Sequence, residues 1–591
     1  MPHRQHLFSL RIGHALRETA AEGYGIAELK RDLLAGVTVG IIAIPLAMAL
    51  AIASGVPPQH GLYTCIIAGF LIALCGGSRL SISGPTAAFI VILYPVTQKY
   101  GLAGLSLATV LSGVLLIAMA MVRLGRFIAY IPEAVTLGFT AGIAVVIATL
   151  QLKDVFGLQV GAMPEHYLEK LHTLMKAGDT AQWPSMLVAA ATLWLMWFWP
   201  KWQPKIPAHL PAILFGSVLA LVLAKFGYVV DTIGSRFQFT NAQGELMFGI
   251  PDMLPGLSWP WDLPGADGKP LVFSSELVKD LFTAAFAMAM LGAIESLLCA
   301  VVLDGMTSKR HSANSELLGQ GIGNIVAPFF GGITATAALA RSAANVRAGA
   351  VSPVSGMVHA LVVLAALLLL APLLSYVPMA VMAALLLVVA WNMSEAPKAL
   401  HLINTAPKSD VWVFTLCFSL TVLFDMVIAI SCGVMIAALF FVRDVAAMTR
   451  LQDISQQQKW GIGDLQPEQR VFRISGPLFF AAADRIFAEL LHQTKEQAQL
   501  VVLMDAVSVL DAGGLSALEK FLSHCEKHNK QLYLAELQFQ PLKTLAKAQI
   551  KPVDGLLSYH SNLHDALQLM RQHEVERLGV RQEPTLDLAG L

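Results

Sequence analysis

An acid inside an apolar run is the first residue of this sequence that could do chemistry. Glu295 stands in Met288–Leu303 with apolar residues on both sides. A carboxylate at that depth in a membrane is costly, so it is protonated, paired or turned to a watery cavity. Two roles fit: a proton-titrating or cation-coordinating group beside a substrate, or a structural carboxyl hydrogen-bonded between helices. Arg341 lies in another tract, two turns into a short second helix, and reads as a cation for a cargo or as a counter-ion for Glu295 or for helix carbonyls. Arg347 is nearer a membrane face and reads as a topology or headgroup charge. Asp304 and Asp425 near span ends read as solvated loop positions, and Asp32 beside Lys30 and Arg31 reads as interfacial.

Two short tracts could bind an anion. One reads Ser83-Gly84-Pro85-Thr86-Ala87-Ala88-Phe89; the other reads Gly331-Gly332-Ile333-Thr334-Ala335-Thr336-Ala337-Ala338. Each is too short to cross a bilayer alone, begins with Gly or Pro breakers, and follows another short Gly-containing span. Paired interrupted segments in two halves of a chain point to a binding site. A half-helix that begins at mid-membrane aims unpaired N–H groups and a positive dipole end into a cavity, which attracts anions. The alternative is a pair of kinked helices packed through small residues.

The elements that must hold these tracts are membrane spans. Of 591 residues, 56% are hydrophobic and only 14% charged, whereas soluble domains carry about a quarter charged residues. A crossing needs about 20 apolar residues. Long tracts include Leu33–Ser54, Leu102–Val122, Val135–Leu152, Leu187–Trp199, Leu210–Leu223, Leu281–Leu303, Val354–Leu370 and Val411–Phe424. Shorter ones with Gly and Pro include Gly61–Leu74, Ala87–Val96, Gly321–Phe330 and Ile333–Ala344. Together they predict about fourteen segments.

Lys and Arg set the orientation. With the N-terminal segment inside, the inner loops hold Arg79, Arg123 with Arg126, Lys201 with Lys205, Lys309 with Arg310, Lys398 with Lys408, and Arg443. The long loop near Tyr228–Glu276 falls outside and carries Asp231, Glu245, Asp252, Asp262 and Asp267. Arg4, Arg11, Arg17, Lys30 and Arg31 precede the first apolar run, without a short apolar core and cleavage site, and read as a retained cytoplasmic segment. The expected organisation is a cytoplasmic segment 1–31, a membrane domain 32–444, and a linker with a cytoplasmic domain 445–591.

In that last region, Arg470–Ser475, Leu500–Asp505 and Gln531–Glu536 read as strands, separated by helices at Ala482–Thr494, Gly514–His528 and near Pro541–Gln549. The alternation predicts a small α/β domain, with Asp511 as a helix N-cap. It lacks GxxxxGK[ST], GxGxxG and a metal cluster, so nucleotide hydrolysis and a primary pump are not expected, and no cofactor is implied. Cys65, Cys75, Cys299, Cys417, Cys432 and Cys525 form no CxxC pair, so neither zinc nor a disulfide framework is indicated. A net charge of zero leaves no basic face for nucleic acid.

Gly55-Val56-Pro57-Pro58-Gln59-His60-Gly61-Leu62-Tyr63, then Ser83-Gly84-Pro85-Thr86, resembles the SulP family of anion transporters. So do Asn314-Ser315-Glu316-Leu317, Gly319-Gln320-Gly321 and the tract around Arg341. Leu510-Asp511-Ala512-Gly513-Gly514-Leu515 resembles the STAS domain that follows the SulP membrane domain. Within the family the likeness is to bacterial C4-dicarboxylate uptake proteins, over Ile41–Ser54, Met288–Thr307 and Thr334–Ala350. The resemblance implies a polytopic α-helical protein of fourteen segments in two inverted seven-segment repeats, with a mobile core domain, a gate domain and a homodimer. It also implies an anion site of Thr86, Ala87 and Ala88 against Ala338, Leu339, Ala340 and Arg341, with Glu295 close by.

Three departures from the family shape the expectation. Sodium-coupled bicarbonate members carry Asp where Glu295 stands and Thr where Cys299 stands, so proton coupling is favoured over sodium. Animal anion-sensing members carry Gln after the proline matching Pro45, where this chain has Leu46. Gly513 occupies the place of a phosphorylatable serine in STAS proteins of the anti-sigma pathway, so no phospho-switch sits there.

The resulting expectation is a secondary transporter, not an enzyme, in a bacterial inner membrane with both termini cytoplasmic. It takes up a C4-dicarboxylate such as succinate, fumarate or aspartate with protons, by elevator-like alternating access. Glu295 handles the proton and Arg341 faces the second carboxylate. Sulfate or bicarbonate transport by the same machinery is the near alternative. An anion channel, or a membrane-anchored sensor signalling through the STAS domain to a soluble partner, is the more distant one.

Overall fold

Apolar runs fold here as helices bounded by the breakers that interrupt them. The computed structural model describes residues 10–125, 131–161, 163, 164, 166–203, 207–240, 246–272, 274–307, 309–424 and 426–579. Arg4, Arg126, Lys205, Glu245 and Asp425, which entered the reading above, lie outside them. The chain divides into two compact units, Met1–Val434 and Met435–Leu591.

The first half of the membrane region comprises α1 (His14–Glu22), α2 (Ile26–Ala53), α3 (Pro58–Cys75), β1 (Ser83–Gly84), α4 (Ile90–Met121), α5 (Glu133–Val155), α6 (Tyr167–Lys176), α7 (Trp183–Trp202) and α8 (His209–Lys225). A hairpin of β2 (Gln238–Thr240) and β3 (Leu246–Phe248) separates the halves. The second half comprises α9 (Ser275–Thr307), α10 (Ala313–Val326), β4 (Thr336–Ala337), α11 (Leu339–Arg347), α12 (Val354–Leu374), α13 (Met379–Met393), α14 (Ala396–Thr405), α15 (Lys408–Leu423) and α16 (Met426–Met448). Helix α3 shows the punctuation: Pro58 opens its first turn and Gly76 closes it. Helix α4 breaks at Gly101, whose φ of 66° is left-handed, so 87–100 and 102–121 are separate segments. Among the described residues, eight helical stretches are long and apolar enough to cross a bilayer.

Each half then holds seven segments: α2, α3, both parts of α4, α5, α7 and α8, against α9, α10, α11, α12, α13, α15 and α16. Their packing repeats. Helix α2 packs on α12 as α9 packs on α4; α3 packs on α10 and α12 as α10 packs on α3 and α4. Likewise α5 packs on α13 and α15 as α13 packs on α5 and α7. The two amphipathic helices α6 and α14 occupy the same place in each half. Strands β1 and β4 pair antiparallel, Ser83 opposite Ala337 and Gly84 opposite Thr336, as two copies related by an in-plane two-fold must.

Two charges differ from expectation. Asp32 is fully buried, not interfacial: it accepts from the Val351 and Ser352 amides, the Ser352 hydroxyl and the Tyr24 hydroxyl. The open N–H groups ahead of α12 draw it inward. Asp304 is no free loop acid either. It accepts from the His311 amide and contacts His311 Nδ1 at 2.9 Å, closing the return from α9 to α10.

The second unit is an α/β domain. Strands β5 (Arg450–Asp453), β6 (Gln469–Ser475), β7 (Gln499–Ala506), β8 (Gln531–Ala535) and β9 (Leu557–His560) lie in that order across one sheet. β6 to β9 are parallel and β5 is an antiparallel edge. Helices α17 (Ala483–Gln493), α18 (Ala512–Lys527), α19 (Phe539–Lys547) and α20 (Leu563–Gly579) alternate with the strands. Asp511 caps α18 as expected, accepting from Gly514 N at 2.8 Å.

Candidate functional site

The β1–β4 crossing places two helix starts back to back. After Gly84, Pro85 and an extended Thr86 lead into a 3-10 turn at Ala87–Phe89 and then α4. After Ala337, an extended Ala338 leads into α11. Neither start carries a side-chain cap. An uncapped first turn presents N–H groups and the positive end of the helix dipole. Arg341 is the third residue of α11, not two turns into it, because Thr336–Ala337 is strand and the helix starts only at Leu339.

Sequence reasoning missed the residues that hold the crossing. On α9, the Ser296 hydroxyl donates to Gln320 Oε1, contacts Thr336 Oγ1 at 2.7 Å, and accepts from Ala337 N. Gln320 and Asn324 on α10 both donate to Ala335 O, and Asn324 Oδ1 accepts from Ala335 N. Thr109 and Thr334 join hydroxyls at 2.8 Å. Ala338 N donates to Ile82 O, and Ile82 N donates to Ser342 Oγ. The approach to β4 is held from α3, where Thr64 Oγ1 accepts from Ile333 N and His60 Nδ1 meets Gly331 O at 2.6 Å. Glu316 on α10 accepts from the Gly77 and Ser78 amides and from the Ser81 hydroxyl, fixing the turn that enters β1. Several of these residues sit inside the motifs quoted above, but only the fold shows that they hold backbone.

Glu295 neighbours Ser296 and turns the other way. Its Oε2 accepts from Thr86 Oγ1 at 2.9 Å, so the acid and one helix start share a hydrogen bond. Arg341 is buried at 2% exposure: Nη2 donates to Pro85 O at 2.5 Å and Nη1 contacts Cys65 Sγ at 3.5 Å. Its guanidinium therefore lies against the backbone just ahead of Thr86. Ala87 and Ala88 are buried, Ala338 is half-buried, and Leu339 and Ala340 are exposed.

The exposed face of α9 shifts around the helix past the acid, with Thr283 and Val301 on the edge that both parts share. Ahead of it, Val278 and Phe282 are exposed; beyond it, Leu298 and Val302 are. Each of the second pair lies twenty residues after one of the first, a rotation of roughly 200° at about 100° per residue. The second face is the one that carries Glu295, itself partly accessible. Among the described residues no group of three or more His, Cys, Asp or Glu could hold a metal ion.

Residues 29–417 match the model of the sulfate permease family, and residues 464–566 match the STAS domain. The chain is 39% identical over 531 residues to the putative sulfate transporter YvdB of Bacillus subtilis (strain 168), covering 89% of this chain and 95% of that protein. It is 27% identical to the bicarbonate transporter BicA of Picosynechococcus sp., covering 91% and 95%. The solved transmembrane domain of a cyanobacterial BicA matches at 29% identity with a TM-score of 0.59, over 69% of this chain and 98% of that one. The structure of SLC26A9 shares the fold over 96% of this chain and 94% of that one, with a TM-score of 0.80 at 17% identity. YvdB and BicA are named as sulfate and bicarbonate transporters, which fits the inorganic-anion alternative better than a C4-dicarboxylate. The chain belongs to the sulfate permease family, as a multi-pass membrane anion transporter with a STAS domain after its membrane region.

Proposed function

We propose that the protein is a proton-coupled secondary transporter of a small inorganic oxyanion, sulfate or bicarbonate, working by alternating access. The observation that carries this reading is the pair of uncapped helix starts at Thr86 and Ala338, with Glu295 beside them. N–H groups and dipole ends bind any compact anion without a dedicated side chain. The site is Thr86, Ala87 and Ala88 on one side and Ala338, Leu339, Ala340 and Arg341 on the other.

A dicarboxylate fits less well on physical grounds. Its second carboxylate needs its own cation, and the Arg341 guanidinium is directed at Pro85 O and Cys65 instead. The names of the relatives point the same way. Glu295 acts as the proton-carrying group: ionised, it repels an incoming anion; protonated, it does not, which links anion loading to proton loading.

The exposed second face of α9 supports an opening toward the Asp304 end. With the Arg79 and Lys309 loops inside, that end faces the cytoplasm of a bacterial inner membrane, and both termini are cytoplasmic. Movement of α2, α3, α4 and α9–α12 against α5, α7, α8, α13, α15 and α16 then carries the anion across, in a homodimer whose STAS domain meets a soluble partner.

The test is uptake of labelled sulfate, bicarbonate and succinate into proteoliposomes, with and without an inward proton gradient, for wild type and Glu295→Gln. Proton-driven accumulation of sulfate or bicarbonate, lost in the variant, is the expected result. Accumulation of succinate alone overturns the oxyanion reading. Uptake that never exceeds equilibrium marks a channel.

A further inference from the structure

A second cluster of buried polar side chains lies on β1, α11 and α12, with α3 packed against β1 and α12. Five buried polar atoms meet no protein partner there: Ser83 Oγ, Arg341 Nε, Asn345 Oδ1 and both ring nitrogens of His359. Their residues are at most 3% exposed.

The placement of these residues is tight. On α3, Cys65 contacts Arg341, and Gly69 stands one turn further along the same face. A Cβ on Gly69 would lie 3.0 Å from Ser83 O and 3.9 Å from His359 Nδ1, so the Ser83 carbonyl and the imidazole both lie against Gly69. Asn345, one turn beyond Arg341 on α11, donates to the hydroxyl of Ser355, one turn before His359 on α12.

Buried polar groups in folded proteins are satisfied by protein or by ordered water. The atoms here are mixed. Arg341 Nε and Ser83 Oγ donate, Asn345 Oδ1 accepts, and the imidazole does one of each. A bound anion would face the asparagine oxygen and a bound cation would face the guanidinium. Water, which donates and accepts, fits the whole set.

We propose that this cluster is a resident water site, and that through it His359 is a positioning residue for Arg341. The guanidinium is tied to Pro85 O on one edge; a water shared with His359 ties its Nε edge. Both ties together fix the Pro85–Thr86 peptide, and with it the first N–H groups of the helix start that meets the anion. The proposal rests on the anion-site reading given above.

Two measurements test it on the full-length protein. The first is a high-resolution cryo-EM map of the wild type, which needs no knowledge of the substrate. Ordered water density within hydrogen-bond reach of both Arg341 Nε and His359 is expected; a map resolving neighbouring waters but none there overturns the proposal. The second is the concentration dependence of uptake, using whichever anion the wild type accumulates.

His359→Leu is expected to raise the half-saturating concentration about tenfold with little change in maximal rate, since one hydrogen bond to a charged group is lost. His359→Gln, which still reaches the water, is expected to stay within about twofold of wild type. An unchanged half-saturating concentration in His359→Leu overturns the proposal, as does equal loss in both variants. If His359→Leu does not fold, Ser83→Ala is read by the same criterion. Should neither sulfate nor bicarbonate be transported, the oxyanion reading fails while the map still decides the water site.

Discussion

The Thr86 hydroxyl donates to the Glu295 carboxylate across 2.9 Å, joining the start of one half-helix to the long helix that opens the second repeat. Thr86 sits where a helix cap would, yet its side chain does not cap its own helix. The hydroxyl is spent on the acid, and the first N–H groups stay free for the anion.

Substitution at Thr86 separates these roles. Thr86→Ser keeps the hydroxyl and is expected to retain most transport. Thr86→Val removes a hydrogen bond to a charged group, which is worth about 1.5 kcal/mol or more, so initial uptake is expected to fall roughly tenfold or further. Equal activity of the two variants in proteoliposomes would show that the hydroxyl does not matter.

Close helix packing sets a second expectation. A Cβ on Gly61 would lie 2.0 Å from Ala47 O, so α2 and α3 touch through backbone there. Gly61→Ala must push the helices apart, and is expected to cost about 1–3 kcal/mol as an overpacked core does. Gly256→Ala, with nothing within 4 Å of its new methyl, serves as the control. Thermal unfolding in detergent should lower the midpoint for the first variant only.

Much of this arrangement was legible in residue types. Breakers at Gly84, Pro85, Gly331 and Gly332 announced two interrupted segments, and a lone acid in an apolar run announced Glu295. Periodicity did not reveal that Thr336–Ala337 pairs as strand with Ser83–Gly84, because two residues carry no alternation to read. Arg341 was therefore placed a turn too deep. Asp32 was read from its charged neighbours Lys30 and Arg31, whereas its partners, Val351 and Ser352, lie more than three hundred positions away. Ser296 and Asn324 look like ordinary helix residues in sequence, and Gln320 is marked only by its motif, for the same reason: what they bond comes from another part of the chain. In the second unit β5 and β9, four residues each, were too short to stand out.

The cap on α18 gives an expectation for the STAS domain. Asp511 accepts from both Gly514 N and Phe480 N, tying the helix start to the loop after β6. Asp511→Ala leaves both amides without that acceptor and is expected to destabilise the domain by about 1–2 kcal/mol. Hydrogen exchange of the full-length protein should show faster exchange in 512–516, with the membrane helices unchanged.

Acid should loosen the first helix. Glu22 on α1 binds Arg79 at 2.6 Å and Lys309 at 3.0 Å, and these cations hold its carboxyl down at about 2, from an ordinary 4.5. A depressed acid contributes stability above its unfolded value, and that contribution disappears as pH falls through the folded value. Glu22's contribution to the docking of α1 is therefore expected to be full at neutral pH, to weaken below about 4.5 and to be lost near 2. Glu22 and Lys309 are about half exposed, so the effect is small and screened by salt. Limited trypsin cleavage at Arg17 cannot be followed in that acid range, but pepsin can: cutting within 10–24 should rise between pH 4.5 and 2 in wild type. Glu22→Gln, which lacks the titrating group, should be cut more readily at the upper end of that window and show a flatter pH dependence. Identical profiles for the two proteins would remove Glu22 as the group that holds α1.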